Sequence, residues 1–235
     1  MYRNLDISSI LIGSTILIVL SGILFACKEN KPAHHHLNSA QKHMHSYSTD
    51  ELIRLFDDPA RDEWQKPREV IRFLNLSPGA VIADLGAGSG YFSLRLARAG
   101  YRVIALDIDK EFIAHLEQKS TVLKRENPKG SLETRLIEPG KTGLMPNEVD
   151  VILTVNTYHH FDDRLTFLKK MKEALKPGGQ LVVIDFKDGE LPVGPKPDHK
   201  IQESQMIEEI SDAGFYVTEN IELLPYQVIL IGRSE

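Results

Sequence analysis

The chain has 235 residues, 28 Lys+Arg against 33 Asp+Glu, a formal charge of −5 and one cysteine. A lone cysteine forms no internal disulfide and no multi-cysteine zinc or iron–sulfur site. Mild acidity speaks against a nucleic-acid binder, which needs a basic face to displace phosphate counterions, and a hydrophobic content of 42% speaks against wholesale disorder. The length fits one sizeable domain plus an extra segment.

The extra segment comes first in the chain. A polar start with Arg3 leads into an apolar run from Ile10 to Ala26, and Cys27 follows Leu24-Phe25-Ala26. Residues 1–26 therefore read as a signal peptide or membrane anchor. The Leu-x-Ala-Cys ending resembles the lipobox of bacterial lipoproteins, which implies a lipidated Cys27 and a membrane-associated protein. Phe25 departs from the small residue usual there. The alternative is an uncleaved anchor with the domain facing inward, which Lys28, Lys31 and Lys42 after the run favour under the positive-inside rule. Residues 27–49 read as a polar linker carrying His34, His35, His36, His43 and His45. It reads as a solvated tether, because no carboxylate or cysteine partners stand at defined spacing, with a metal-scavenging histidine tract as the alternative.

Residues 50–235 read as alternating helices and strands. Thr49 or Asp50 caps a first helix, Pro59 interrupts it, and Pro67–Leu74 makes another. Strands follow at 80–85 and 102–107, separated by a helix from Tyr91 to Ala99 that Gly100 closes. A helix at 110–125, strands at 132–137 and 149–155, and a helix at 162–176 come next. A strand at 180–186, a helix at 201–213 and closing strands at 215–224 and 227–231 complete the chain. Strand–helix alternation with near-continuous apolar strands predicts an α/β fold. Its doubly wound, mostly parallel seven-stranded sheet would carry helices on both faces, with the N-terminal helices as a cover.

The loop Gly86-Ala87-Gly88-Ser89-Gly90 directly follows the first strand and its Asp84, and Asp107 ends the second strand. In such sheets ligands bind beyond the C-terminal strand ends, and an acid at the end of strand two can accept both ribose hydroxyls. A dinucleotide fingerprint would need glycine at position 91, where Tyr91 stands, and no phosphate-loop motif is present. The stretch D-L-G-A-G-S-G resembles motif I of class I S-adenosylmethionine-dependent methyltransferases, most nearly the small-molecule group that includes the quinone-methylating enzymes.

The resemblance runs over roughly residues 62–232, through Leu175-Lys176-Pro177-Gly178-Gly179 and Ala213-Gly214-Phe215. It implies that Asp84, Gly86, Ala87, Gly88 and Gly90 hold the methionine part of the cofactor. It also implies that Asp107 holds the ribose and that Ile108 packs on adenine. Glu138 is a weak equivalent of the acid that reaches the adenine amine in that family. Arsenite methyltransferases use several cysteines, which speaks against that subgroup.

Strand four ends in Asn156-Thr157-Tyr158-His159-His160, and strand five ends in Asp185. Asn156 is assigned to the cofactor side. Tyr158, His159, His160 and Asp185 are the candidate catalytic residues, because strand ends line the cleft and a histidine can take a proton near neutral pH. Trp64 and the Pro- and Gly-rich stretch 191–199 are candidates for the acceptor side, though either can be simple packing. The function expected is methyl transfer from S-adenosylmethionine to a small-molecule acceptor at a membrane. A tethered S-adenosylmethionine- or nucleoside-binding protein without turnover stays open, as does a nicotinamide-dependent enzyme.

Overall fold

The computed structural model describes residues 47–127 and 129–234. The predicted signal or anchor, Cys27 and the five linker histidines lie outside the described residues. No helix among the described residues is long and apolar enough to cross a membrane.

Three helices come first: α1 (Thr49–Phe56), the short α2 (Arg61–Gln65) and α3 (Pro67–Leu74). The cap of α1 is Ser48, one residue before the predicted cap. Ser48 and Glu51 satisfy each other's backbone N–H groups in a capping box. Helix α2 was not expected from the polar stretch Arg-Asp-Glu-Trp-Gln. Lys66 takes a left-handed conformation and lets α3 start at Pro67.

The sheet is built from β1 (Val81–Leu85), β2 (Arg102–Asp107), β3 (Ser131–Leu136), β4 (Val149–Val155), β5 (Leu175–Phe186), β6 (Tyr216–Asn220) and β7 (Gln227–Arg233). The crossover helices are α4 (Tyr91–Arg98), α5 (Lys110–Glu126), α6 (Arg164–Ala174) and α7 (Glu203–Asp212). Strand order is β3-β2-β1-β4-β5-β7-β6, with β1 to β5 parallel and β7 antiparallel to both neighbours. The expected doubly wound seven-stranded sheet is therefore what forms.

Two elements differ from the reading of the sequence. The helix expected at 162–176 is α6 and stops at Ala174. Leu175 already pairs with Val149, so β5 starts before Pro177 and contains the Lys-Pro-Gly-Gly run. Pro177 has no N–H to give, and Gly178 takes a positive φ of 74°, so the register shifts between Val149 and Val151.

Side-chain alternation divides the core into two layers. Val81, Ala83, Leu85, Ile104 and Leu106 pack with Phe167, Leu168 and Met171 of α6 and with Met206 and Ile210 of α7. Ile82, Val103, Ala105, Val151 and Leu153 pack with α3, α4 and α5 through Val70, Leu94, Leu116 and Leu123. The same parity puts Asp84 and Asp107 on the α3–α5 side, at the C-terminal rim of adjacent strands. Asp185 has the parity of Leu181 and Val183, which belong to the α6–α7 layer. The two acids of the glycine region thus share one side, and the acid of strand five has the other. The order of strands reverses between β1 and β4, which places a ligand crevice at the ends of these strands.

Candidate functional site

The glycine loop is tied inward. Gly86 and Ala87 both donate their N–H to the Leu106 carbonyl, at 2.8 and 3.0 Å. Gly88 donates to Asp107 Oδ2 at 2.8 Å, and Gly90 donates to the Ala87 carbonyl at 2.9 Å. These amides are committed, so the loop does not present them to a phosphate. Gly86 has φ +78°, and a Cβ there would overlap the Thr157 side chain. At Gly88, φ +53°, a Cβ would sit 3.3 Å from the Phe56 ring. The loop is thus closed between the end of β4 and the end of α1. Ser89 donates to Asp57 Oδ1 at 2.6 Å, and Phe56 stacks on Phe112 with centroids 5.9 Å apart.

Two carboxylates dominate the electrostatics here. Asp84 is buried and accepts from the Ser93 hydroxyl of α4. Asp107 is buried and accepts from Gly88 and, through Oδ1, from the Asp109 N–H at 3.0 Å. Among the described residues, neither has a cation at ion-pair distance. Burial pushes Asp84 up to about 6, against the lowering by Ser93, and burial also raises Asp107. Two buried carboxylates without a cation at ion-pair distance suit a cationic ligand that offers hydroxyls. They do not suit a phosphate. Beside Asp107, the apolar Ile108 and Leu136 are 55% and 57% exposed, which is surface that a flat ring would cover.

The raised pKa of Asp84 carries a stability consequence. A carboxyl whose folded pKa lies above its unfolded value binds its proton better when folded. Its contribution is fully present below about pH 4 and is lost as pH rises through about 6. Asp84→Asn removes this loss and can still accept from Ser93. The variant is expected to be more stable than wild type by on the order of 2 kcal/mol at pH 7–8, with the gap closing near pH 4. Denaturant midpoints across that range check it, and a gap that does not depend on pH would be the contrary result.

The histidine cluster lies one strand further along. The chain leaves β4 through Asn156, in a left-handed conformation with φ 57°, and makes a single 3₁₀ turn at Tyr158–His160. That turn separates the candidates. His159 is 7% exposed, and its Nδ1 lies 3.0 Å from both oxygens of Asp185. An ionised carboxylate only accepts, so Nδ1 carries the proton and Nε2 keeps its lone pair. The His159 N–H also points to Asp185 Oδ2 at 3.3 Å, and the Phe186 N–H donates to Oδ1 at 2.8 Å, which fixes the carboxylate.

Tyr158 does not belong with these residues. It is fully buried in the α6–α7 layer, and its hydroxyl donates to Glu209 at 2.6 Å. The turn rotates it back under the sheet, away from the strand ends. His160 packs its ring on His159 with centroids 4.2 Å apart. Burial, and then the neighbouring His159, pull its pKa down to about 4, so it is neutral near pH 7.

Asn156 sits at the end of a polar relay that the sequence did not reveal. Gln65 of α2 donates to Gln227 Oε1 at 2.9 Å, and Gln227 donates to Asn156 Oδ1. Gln65 in turn accepts from Arg61. Trp64 is an aromatic neighbour of the end of β5 and of the turn before β7, with its ring centroid 6.0 Å from Phe186 and 6.4 Å from Tyr226. The 191–199 stretch packs on the same wall: Gly194, with φ +90°, lies so close to Phe186 that a Cβ would overlap the ring. Glu138 is exposed on the loop after β3.

Residues 83–183 match the family described as Methyltransferase domain. A probable S-adenosylmethionine-dependent methyltransferase of Mycolicibacterium smegmatis is 25% identical over 166 residues, covering 67% of this chain and 61% of that protein. A ubiquinone biosynthesis O-methyltransferase of Xanthomonas campestris pv. campestris is 29% identical over 106 residues, 44% of this chain and 42% of that protein. The chain thus spans less than two thirds of the length of these curated relatives. A crystal structure of a SAM-dependent methyltransferase from Aquifex aeolicus superposes with a TM-score of 0.72 at 26% identity, covering 80% of this chain and all of that one.

Proposed function

We propose that this chain, whose residues 83–183 are a class I S-adenosylmethionine-dependent methyltransferase domain, transfers a methyl group to a small-molecule acceptor whose proton is taken by His159. S-adenosylmethionine is the cofactor of this domain, and the residues fit it. The unpaired Asp84 suits its ammonium and Asp107 its ribose, and four amides of the loop are turned inward rather than toward a phosphate. When bound, the cofactor supplies an electrophilic methyl carbon on a sulfonium.

The observation that carries the reading is the His159–Asp185 pair at 3.0 Å, held at the ends of the strands just past the crevice. Asp185 fixes the imidazole so that Nε2 can accept a proton from an oxygen, nitrogen or sulfur acceptor. The aromatic side chains of Trp64, Phe186 and Tyr226 supply an apolar wall at the end of β5. Their part is to exclude water and fix the approach, because in-line attack depends on orientation. Proximity alone can lower such a barrier by roughly 7–11 kcal/mol.

The test is calorimetry of the full-length chain with S-adenosylmethionine, followed by assay of S-adenosylhomocysteine formation over a panel of phenols, thiols and amines. Binding with turnover on one class supports the reading. Binding without turnover on any class favours a cofactor-binding protein, and no binding removes the reading altogether. Attachment to a membrane through residues 1–27 belongs to the same proposal, and the mass of the mature N-terminus tests it. An acylated Cys27 supports an exported lipoprotein, whereas an intact residue 1 favours an inward-facing anchor.

A further inference from the structure

The amide relay that ends at Asn156 has a fixed direction. Arg61 of α2 gives its Nε–H to Gln65, Gln65 gives an N–H to Gln227 Oε1 at 2.9 Å, and Gln227 gives one to Asn156 Oδ1. An isolated amide can be turned end for end. A guanidinium cannot, because it only donates. Arg61 keeps its proton near pH 7, although burial pulls its pKa to about 10. Gln65 must therefore meet Arg61 with its oxygen, which leaves its NH₂ for Gln227. Gln227 must then meet Gln65 with its oxygen, which leaves its NH₂ for Asn156. Gln65 and Gln227 are fully buried, so turning either one over would set like groups against each other where no water can intervene.

Asn156 is the half-buried member at the end of this line. Its Oδ1 is spent on Gln227, and among the described residues its Nδ2 has no partner. The exposed end of the relay is thus a hydrogen-bond donor, set by a charge on another helix. Asn156 also belongs to the acceptor flank of the crevice. Its neighbour Thr157 is the residue that meets the glycine loop, at Gly86. The Asn156 side chain is tied the other way, past the end of β5 to the start of β7. Its two relay partners directly follow Trp64 and Tyr226 in the chain.

We propose that Asn156 Nδ2 hydrogen-bonds the methyl acceptor, and that the site selects a small molecule carrying a lone-pair atom apart from the protonated atom that is methylated. This rests on the acceptor reading of His159 above and moves Asn156 away from the cofactor, where its sequence position put it. Asp185 holds His159 on the α6–α7 side, whereas Gln227, two residues from Ile229 of the other layer, draws Asn156 to the α3–α5 side. A lone pair at His159 Nε2 and a donor at Asn156 therefore flank the end of β4. A hydroxy-carbonyl or hydroxy-carboxylate compound matches that pair, and a compound whose second group only donates does not. Gln65 and Gln227 are positioning residues that act through Asn156.

The test titrates two flat, neutral probes into the full-length chain loaded with S-adenosylhomocysteine, followed by NMR. The ring nitrogen of quinoline only accepts, and the N–H of indole only donates. Wild type is expected to favour quinoline over indole about 5- to 50-fold more than Asn156→Ala does. Gln65→Glu is the sharper variant. A carboxylate at 65 accepts from Arg61 and from Gln227, so Gln227 turns its oxygen to Asn156, and Asn156 turns its own oxygen outward. The preference is expected to reverse, with indole favoured relative to Asn156→Ala. Gln65→Met cuts the relay and should fall between the two. Affinity for S-adenosylhomocysteine within about threefold of wild type reports that each variant is folded.

In wild type alone, the Asn156 side-chain NH₂ should exchange with water at least about tenfold faster than those of Gln65 and Gln227, which have carbonyl partners. The opposite order overturns the proposal even if no variant folds. A quinoline preference that survives in Asn156→Ala overturns it too, as does a loss without reversal in folded Gln65→Glu. If wild type takes up neither probe, the acceptor wall fails and the proposal with it. If S-adenosylhomocysteine itself does not bind, the cofactor reading is what has failed.

Discussion

Asp107→Ala is expected to weaken S-adenosylmethionine binding by about 100-fold or more, while His159→Ala changes it less than about threefold. Asp107 has two duties. In the proposed cofactor site it would offer a buried carboxylate to the ribose, and its Oδ2 holds the Gly88 N–H at 2.8 Å. Hydrogen bonds to a charged group contribute about 1.5–3 kcal/mol each, so losing two of them at the lower value costs about 3 kcal/mol. The alanine variant also leaves the Gly88 N–H without its acceptor inside a buried loop. Asp107→Asn keeps one acceptor oxygen and should fall between the two. Calorimetry on the three variants checks the order. Equal losses for Asp107→Ala and His159→Ala would contradict the division of labour between the two sides of the sheet.

His159→Ala should instead lower kcat by about 10²- to 10⁴-fold, the usual range for a lost general base, with cofactor affinity retained. Asp185→Asn should act in the same direction for a different reason. An amide placed 3.0 Å from Nδ1 can donate to it, which moves the ring proton to Nε2 and removes the lone pair that faces the reaction. Turnover under saturating cofactor, read beside the binding constants, separates this from a folding defect. The neighbouring His160 does not substitute, because Nδ1 of that ring is buried and its pKa is held near 4. A kcat for His159→Ala within about threefold of wild type would show that the acceptor needs no base.

The placement of Asp84 and Asp107 at adjacent strand ends was legible because its determinants are local. Asp84 and Asp107 close runs of apolar residues, and a strand's two-residue period assigns them to one face without any knowledge of tertiary contacts. Glycine spacing was informative because the third glycine of a dinucleotide loop is replaced by Tyr91. The histidine cluster was legible only in part. Four consecutive residues at a strand end look equivalent on paper, but one 3₁₀ turn after β4 sends Tyr158 to the core and His159 to Asp185.

Arg61 and the relay were not legible at all. Arg-Asp-Glu-Trp-Gln reads as solvated surface, since its polarity hides which residues turn inward. Gln65 meets its partner Gln227 across 162 positions of sequence, a contact that no spacing rule anticipates. The boundary of α6 was missed for a similar reason. Pro177 and Gly178 look like a stop signal, whereas the pairing of Leu175 with Val149 had already ended the helix.

The opposite parity of Asp185 has a consequence for how such a protein can change over generations. Asp84 and Asp107 answer to the α3–α5 side, while Asp185 and the 3₁₀ turn answer to the α6–α7 side. On the proposed reading, substitutions in the 3₁₀ turn or around Asp185 can therefore reshape what is methylated while the face that carries Asp84 and Asp107 stays unchanged. Under that reading, donor recognition and proton transfer answer to opposite faces of one sheet, and either can drift while the other is held.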